Sequence, residues 1–201
     1  MSVLAFIENF IAAKRSQISF TLLVIAWTIL GGVLFPEIIA RYPEFAQIPL
    51  QKEAGKVAFI MLMIILFLSP LSKITRWRIL TLVMPFRKEL GIIMGMLVLV
   101  HYILFLRANW EYIDQLSQTF QLWLAAGFWA FILTMILTIT SNVRSMKLLG
   151  KWWKKLHMVV YGVVALTLLH VVALGLMKEQ IEWGYISVVG IYIILKIIQL
   201  S

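Results

Sequence analysis

Cysteine is absent from all 201 residues, so the chain offers no disulfide, no thiolate metal site and no cysteine-held iron–sulfur cluster. Charge is scarce as well: Asp, Glu, Lys and Arg make up 13% of the residues, against about 25% in an average soluble domain. No GxGxxG follows a strand pattern and no phosphate loop is present, so nothing on the chain can take hydride from a nicotinamide by itself. No internal repeat and no low-complexity linker stand out. The longest stretches between apolar runs, residues 37–56, 72–89 and 107–119, leave no room for a soluble domain.

What is present is apolar. Hydrophobic residues make up 62% of the chain, and the mean hydropathy is +0.96, which marks an integral membrane protein. Charge-free runs cover Ser16 to Pro36, Val57 to Ser72, Leu90 to Leu106, Phe120 to Ser141, Leu156 to Met177 and Trp183 to Leu195, the last carried on to about residue 200 past Lys196. Each is near the roughly 20 residues that a spanning helix needs. The expected fold is therefore all-α: one domain over residues 1–201, built as a bundle of six transmembrane helices. The first run is counted as structure rather than as a secretory signal, because it follows Lys14 and Arg15, is too long and closes on no small-residue cleavage pattern.

The formal charge of +9 is distributed unevenly. With six spans, 13 basic residues fall on one side: Lys14 and Arg15, the clusters Lys73 to Lys88 and Arg144 to Lys155, and Lys196. The other side holds Arg41, Lys52, Lys56, Arg107 and Lys178, together with seven of the nine acids. The positive-inside rule then puts both termini in the cytoplasm. The basic residues set orientation and touch anionic lipid headgroups, and a nucleic-acid partner is not expected. All nine acids are assigned to the surfaces, which argues against a haem-free transporter with paired intramembrane carboxylates.

Chemistry inside the bilayer is left to His101, His157 and His170. The third and fifth runs point the same way, so depths along them compare directly. His101 lies 13 residues beyond Lys88 and His170 lies 15 beyond Lys155, or about 20 and 22 Å at 1.5 Å per residue. Two imidazoles on different helices thus share one level in the outer half of the membrane. A porphyrin standing between two helices needs such a pair of axial nitrogens. The alternative is two unrelated buried histidines, each bonded to a carbonyl or a hydroxyl such as that of Thr167. Gly91, Gly95 and Gly162 would give a flat macrocycle room, and helix packing explains them equally well.

His157 stands about 140° around the helix from His170 and about 20 Å lower, so the two cannot share one haem. It either ligates a second, inner haem or acts at the interface, on headgroups or a propionate. The residue of the third run nearest its depth is Arg87, which stays protonated and is a poor ligand. Arg107, one and a half turns beyond His101, either pairs a propionate or is an ordinary interfacial arginine.

Three blocks carry a resemblance: GKVAFIMLMIILFLSPLSKI, FRKELGIIMGMLVLVH and TSNVRSMKLLGKWWKKLHMVVYGVVALTLLH. From about Gly55 onward the chain resembles the ferric-reductase-like transmembrane domain family, and within it the haem-binding membrane subunits of bacterial methionine-sulfoxide reductase systems. Leu149, Gly150, Trp153, Leu156, His157, Tyr161 and His170 form the most specific block. The resemblance implies that His101, His157 and His170 are the haem-associated metal ligands, with a b-type haem, one expected and a second conceivable. It implies an electron-transfer subunit of the bacterial inner membrane, fed by a cytoplasmic flavin reductase and discharging to a periplasmic molybdopterin methionine-sulfoxide reductase. Flavin mononucleotide is also associated with the family, though no flavin-binding motif stands here. NADPH oxidases and ferric reductases of the same superfamily add a second histidine on the third helix and a flavin–nicotinamide domain. Neither is in this sequence, so a stand-alone electron conduit is expected. A transmembrane ferric or oxygen reductase is the alternative, and a di-haem quinone or ascorbate cytochrome would want four intramembrane histidines.

The count of 13 basic residues against five generates a topology test. Reporter fusions after Arg144 and at the C-terminus should report the cytoplasm and fusions near Glu111 the opposite side; an inverted pattern would reverse the orientation.

Overall fold

The structure, a computed structural model, describes residues 3–34, 50–110 and 121–200. Glu37, Arg41, Glu44, Glu111 and Asp114, five of the charges assigned above to the outer side, lie outside these residues. The described residues are helical, with no strand among them. The long helices are α1 (Val3–Leu34), α2 (Leu50–Thr75), α3 (Arg87–Asn109), α4 (Leu122–Ile139), α5 (Val160–Met177) and α6 (Trp183–Leu200). Short helices Arg78–Val83, Val143–Leu149 and Lys151–His157 fill the basic loops. Among the described residues, five stretches are long and apolar enough to cross a membrane: 50–75, 78–109, 122–139, 151–177 and 183–200. This is a multi-pass membrane protein.

Several expected boundaries shift, the starts of α1 and α2 for reasons of charge. α1 begins at Val3 instead of Ser16, because a helix can continue through Lys14 and Arg15 outside the apolar layer. α2 begins at Leu50 instead of Val57. Its charged first turns are stabilised by ion pairs, Lys56 to Glu53 and Lys52 to Glu182, both at 3.2 Å. A criterion of charge-free runs cuts both helices short. The expected run from Leu156 is broken at Met158 and Val159, so His157 ends a short helix and His170 belongs to α5. Gly150 makes the turn between the two short helices at φ +50°, a backbone conformation that suits glycine.

The helices close into a ring. α2 packs on α3, α3 on α4, α4 on α5, α5 on α6 and α6 back on α2, while α1 lies along the outside of α3. Directions follow from paired residues. Phe59 meets Tyr185 at 4.6 Å and Phe67 meets Tyr192 at 5.6 Å, so α2 and α6 run parallel. Tyr102 stacks on Phe131 at 4.1 Å, Phe105 meets Trp123 at 6.2 Å and Gly95 abuts Thr138, so α3 and α4 run antiparallel. α3 and α5 both flank α4 and share no packing seam of their own. The buried core takes in Ala58, Phe59, Leu62 and Leu66 of α2, Ile93, Met94 and Leu97 of α3, Val163 and Val164 of α5, and Val189 and Tyr192 of α6. In lipid such a seam gains van der Waals contact rather than hydrophobic free energy, so close approach matters.

Gly95 provides that approach. A Cβ there would collide with the hydroxyl and methyl of Thr138, whose hydroxyl donates to the Thr134 carbonyl at 2.8 Å. Gly95 is thus a packing glycine, while Gly91 has open space around it and Gly162 meets only Leu133 at 4.0 Å.

One acid departs from expectation. Glu89, in the first turn of α3, is only 4% exposed. Lys88 pairs with its Oε1 at 3.2 Å and its Oε2 has no partner. Its place at a helix N-terminus, beside that ammonium, offsets part of the cost of burial.

Gly95→Ala should loosen the α3–α4 seam and cost about 1–3 kcal/mol, as overpacking does. Gly91→Ala should be neutral or slightly stabilising. Thermal melts of the detergent-solubilised protein check the contrast.

Candidate functional site

His101 and His170 come together inside the ring, with ring centroids 6.5 Å apart and planes at 84°. Each is held in the same way by the helix next to its own. His101 Nδ1 donates to the Gln51 carbonyl of α2 at 2.7 Å. His170 Nδ1 donates to the Trp123 carbonyl of α4 at 2.7 Å. A carbonyl only accepts, so both protons sit on Nδ1 and both Nε2 atoms keep a free lone pair. This is the tautomer that second-shell bonding sets in metal-ligating histidines.

A glycine makes room for each ring. A Cβ on Gly55 would stand 3.0 Å from His101 Nδ1, and one on Gly127 would stand 2.6 Å from His170 Nδ1. Each glycine lies four residues after the accepting carbonyl and is the sixth residue of its helix. The local sequences, LQKEAG and LWLAAG, share the pattern Leu-x-x-x-Ala-Gly. That short echo is the signal that a reading for long repeats missed, and with it went Gln51, Gly55, Trp123 and Gly127.

His157 is held differently. Trp153 stacks on it at 4.0 Å and 27°, and donates its own indole N–H to the Thr140 carbonyl at 3.0 Å. The Thr140 hydroxyl donates to the Ile136 carbonyl at 2.7 Å, so the contact of 3.3 Å between His157 Nε2 and Thr140 Oγ1 leaves Nε2 as donor. The proton therefore blocks the nitrogen that is free on the other two histidines. Arg87, half-buried at the start of α3, lies near Tyr192, with Tyr161 beside that phenol. Arg107 is exposed at the far end of α3, on a groove with Ile103, Leu106 and Trp110. Neither arginine is shown joining the pair.

What the pair can do follows from its number. Among the described residues no group of three or more His, Asp or Glu could hold a metal ion. Two imidazoles that bind one metal through Nε2 at about 2 Å each place their ring centres roughly 6 Å apart. The observed 6.5 Å matches the spacing of two imidazoles that would hold one metal between them, with the metal's other bonds supplied by a group other than protein carboxylates or histidines.

Residues 54–168 match the family described as Ferric reductase like transmembrane component. The chain belongs to that family. The match takes in His101 and His157 and ends two residues before His170. The ferric-reductase-like chain is also 31% identical, over 127 residues, to the protein-methionine-sulfoxide reductase heme-binding subunit MsrQ of Xanthomonas axonopodis pv. citri. That alignment covers 60% of this chain and 56% of the relative, so the chain spans little more than half of the relative's length. No solved structure matches.

The hydrogen-bond pattern predicts the tautomers. Solid-state nitrogen NMR of histidine-labelled, metal-free protein in bilayers should find two imidazoles protonated at Nδ1 and one at Nε2. Three of one kind would contradict the geometry.

Proposed function

We propose that this ferric-reductase-like protein is a b-type haem electron-transfer subunit, with His101 and His170 as axial ligands of one haem. It takes electrons from a cytoplasmic flavin- and NAD(P)H-dependent reductase and delivers them to a periplasmic molybdopterin methionine-sulfoxide reductase. The observation that carries the reading is the pair itself: two imidazoles with ring centroids 6.5 Å apart, each with its Nδ1 engaged by a carbonyl so that Nε2 keeps its lone pair. The name of the Xanthomonas relative, a heme-binding subunit, supports the same cofactor and the same partner.

The residues fit such a group on two counts. The donor set is two imidazoles contributed by different helices, α3 and α5, and imidazole nitrogen is a ligand that haem iron takes. The indole N–H of Trp123, beside His170 at 6.0 Å, is buried without an acceptor, and a carboxylate on the ligand is the kind of group that would satisfy it. When bound, the haem supplies reversible one-electron chemistry. The chain's part would be to hold it through the imidazoles of His101 and His170, and haem iron ligated by two imidazoles favours electron transfer over oxygen binding. Reducing a sulfoxide takes two electrons and two protons, so electrons must pass singly, twice per sulfoxide.

In this reading all six long helices span the bacterial inner membrane, α1 included, with both termini cytoplasmic and residues 1–201 forming one domain. The basic end then faces the donor. Ten Lys and Arg lie in its two loops, and among them Lys73, Arg76, Lys151 and Lys154 are exposed, where they would steer an acidic partner or touch anionic lipid. The reading puts the flavin on the donor. His157, with its Nε2 proton given to Thr140, is an interfacial residue, and Arg87 lies at its end of the bundle. Arg107 lies at the acceptor end, where a propionate is the partner proposed for it.

His101→Ala or His170→Ala should abolish the low-spin haem spectrum of the purified protein, since alanine replaces neither nitrogen. His157→Ala should leave the haem-to-protein ratio near one. A ratio near two that falls to one in His157→Ala would establish an inner haem instead.

A further inference from the structure

The two notches are built alike, and that likeness carries a consequence beyond the ligand assignment. In each, a helix begins Leu-x-x-x-Ala-Gly, its second residue gives a carbonyl to an imidazole Nδ1 at 2.7 Å, and its sixth, a glycine, leaves the ring's place clear. The carbonyl fixes the direction of the N–H, and the bare Cα fixes how close the ring may stand. Together they leave an imidazole little freedom to turn about its Cβ–Cγ bond. The notches stand on different helices, and the rings they hold meet at 84°.

We propose that Gly55 and Gly127 are positioning residues that hold the two axial imidazoles in nearly perpendicular planes. This rests on the reading of His101 and His170 as haem ligands and adds what sets their orientation. Alanine at either glycine would push its ring by a few tenths of an ångström or more and stretch the Nδ1–carbonyl bond. The push is larger at Gly127, where the added Cβ would stand 2.6 Å from the ring, than at Gly55, where it would stand 3.0 Å away. A merely structural glycine in a helix would behave differently, because alanine is the better helix former.

Electron paramagnetic resonance of the ferric haem protein reads the angle, since perpendicular imidazole planes give a strongly anisotropic low-spin signal and near-parallel planes a rhombic one. Wild type should give the anisotropic signal. Gly127→Ala and Gly55→Ala should move it toward the rhombic form, or convert part of the iron to high spin, with the larger change for Gly127→Ala. Gly91→Ala and Gly162→Ala, on the histidine-bearing helices but with room for a methyl, should keep the wild-type signal. If Gly127→Ala does not accumulate, Gly55→Ala decides alone. Loss of haem from a folded notch variant, while Gly91→Ala retains it, supports the proposal. It is overturned if the notch variants keep both signal and midpoint potential unchanged, or if wild type shows parallel planes. A low-spin signal that survives in His101→Ala would instead remove the ligand reading itself.

Discussion

Two hydrogen bonds of 2.7 Å, from His101 to the Gln51 carbonyl and from His170 to the Trp123 carbonyl, are the constraint on which the site depends. Each does two things at once. It satisfies a polar nitrogen inside an apolar bundle, where an unsatisfied one would be expensive, and it forces the remaining lone pair onto Nε2. Without them the two imidazoles would be free to turn and to exchange tautomers. With them, two imidazoles with unprotonated Nε2 atoms stand with ring centroids 6.5 Å apart, and among the described residues no third His, Asp or Glu joins them as a metal-holding group.

The ring of helices brings the two imidazoles together. α3 and α5 carry the histidines and share no seam, while α2 and α4 carry the notches that orient them. The close approach of α3 to α4 at Gly95 and Thr138 sits on the basic side of His101 and so fixes the spacing of the α3 imidazole from α4 and its Gly127 notch. The third histidine shows how different the same side chain becomes without a notch. His157 is stacked under Trp153 and bonded to a hydroxyl, and its proton lies on the nitrogen that the other two leave free.

Much of this was legible in the residues. Charge asymmetry and run length give the helices and their relative directions, and counting from Lys88 and Lys155 puts His101 and His170 at one depth. The packing glycine of the GxxxG on α3 was visible too, though not which of its two glycines packs. What escaped has physical causes. Helix starts were misplaced where ion pairs let charged turns continue a helix, as at Lys52, Glu53 and Lys56. Glu89 was assigned to the surface because burial beside Lys88 leaves no trace in hydropathy. The notches were missed because a glycine in an apolar helix is common and its neighbour across the seam lies 46 positions away for Gly55 and 43 for Gly127. Only the repeated Leu-x-x-x-Ala-Gly ahead of each marks them.

The central claim, one haem held between two imidazoles, is tested most directly by near-infrared magnetic circular dichroism of the purified ferric protein, read with iron content per chain. The account predicts a charge-transfer band of bis-imidazole ligation and one iron per chain. A five-coordinate high-spin spectrum, a band typical of a thioether or hydroxide ligand, or no haem at all in protein shown to be folded would contradict it.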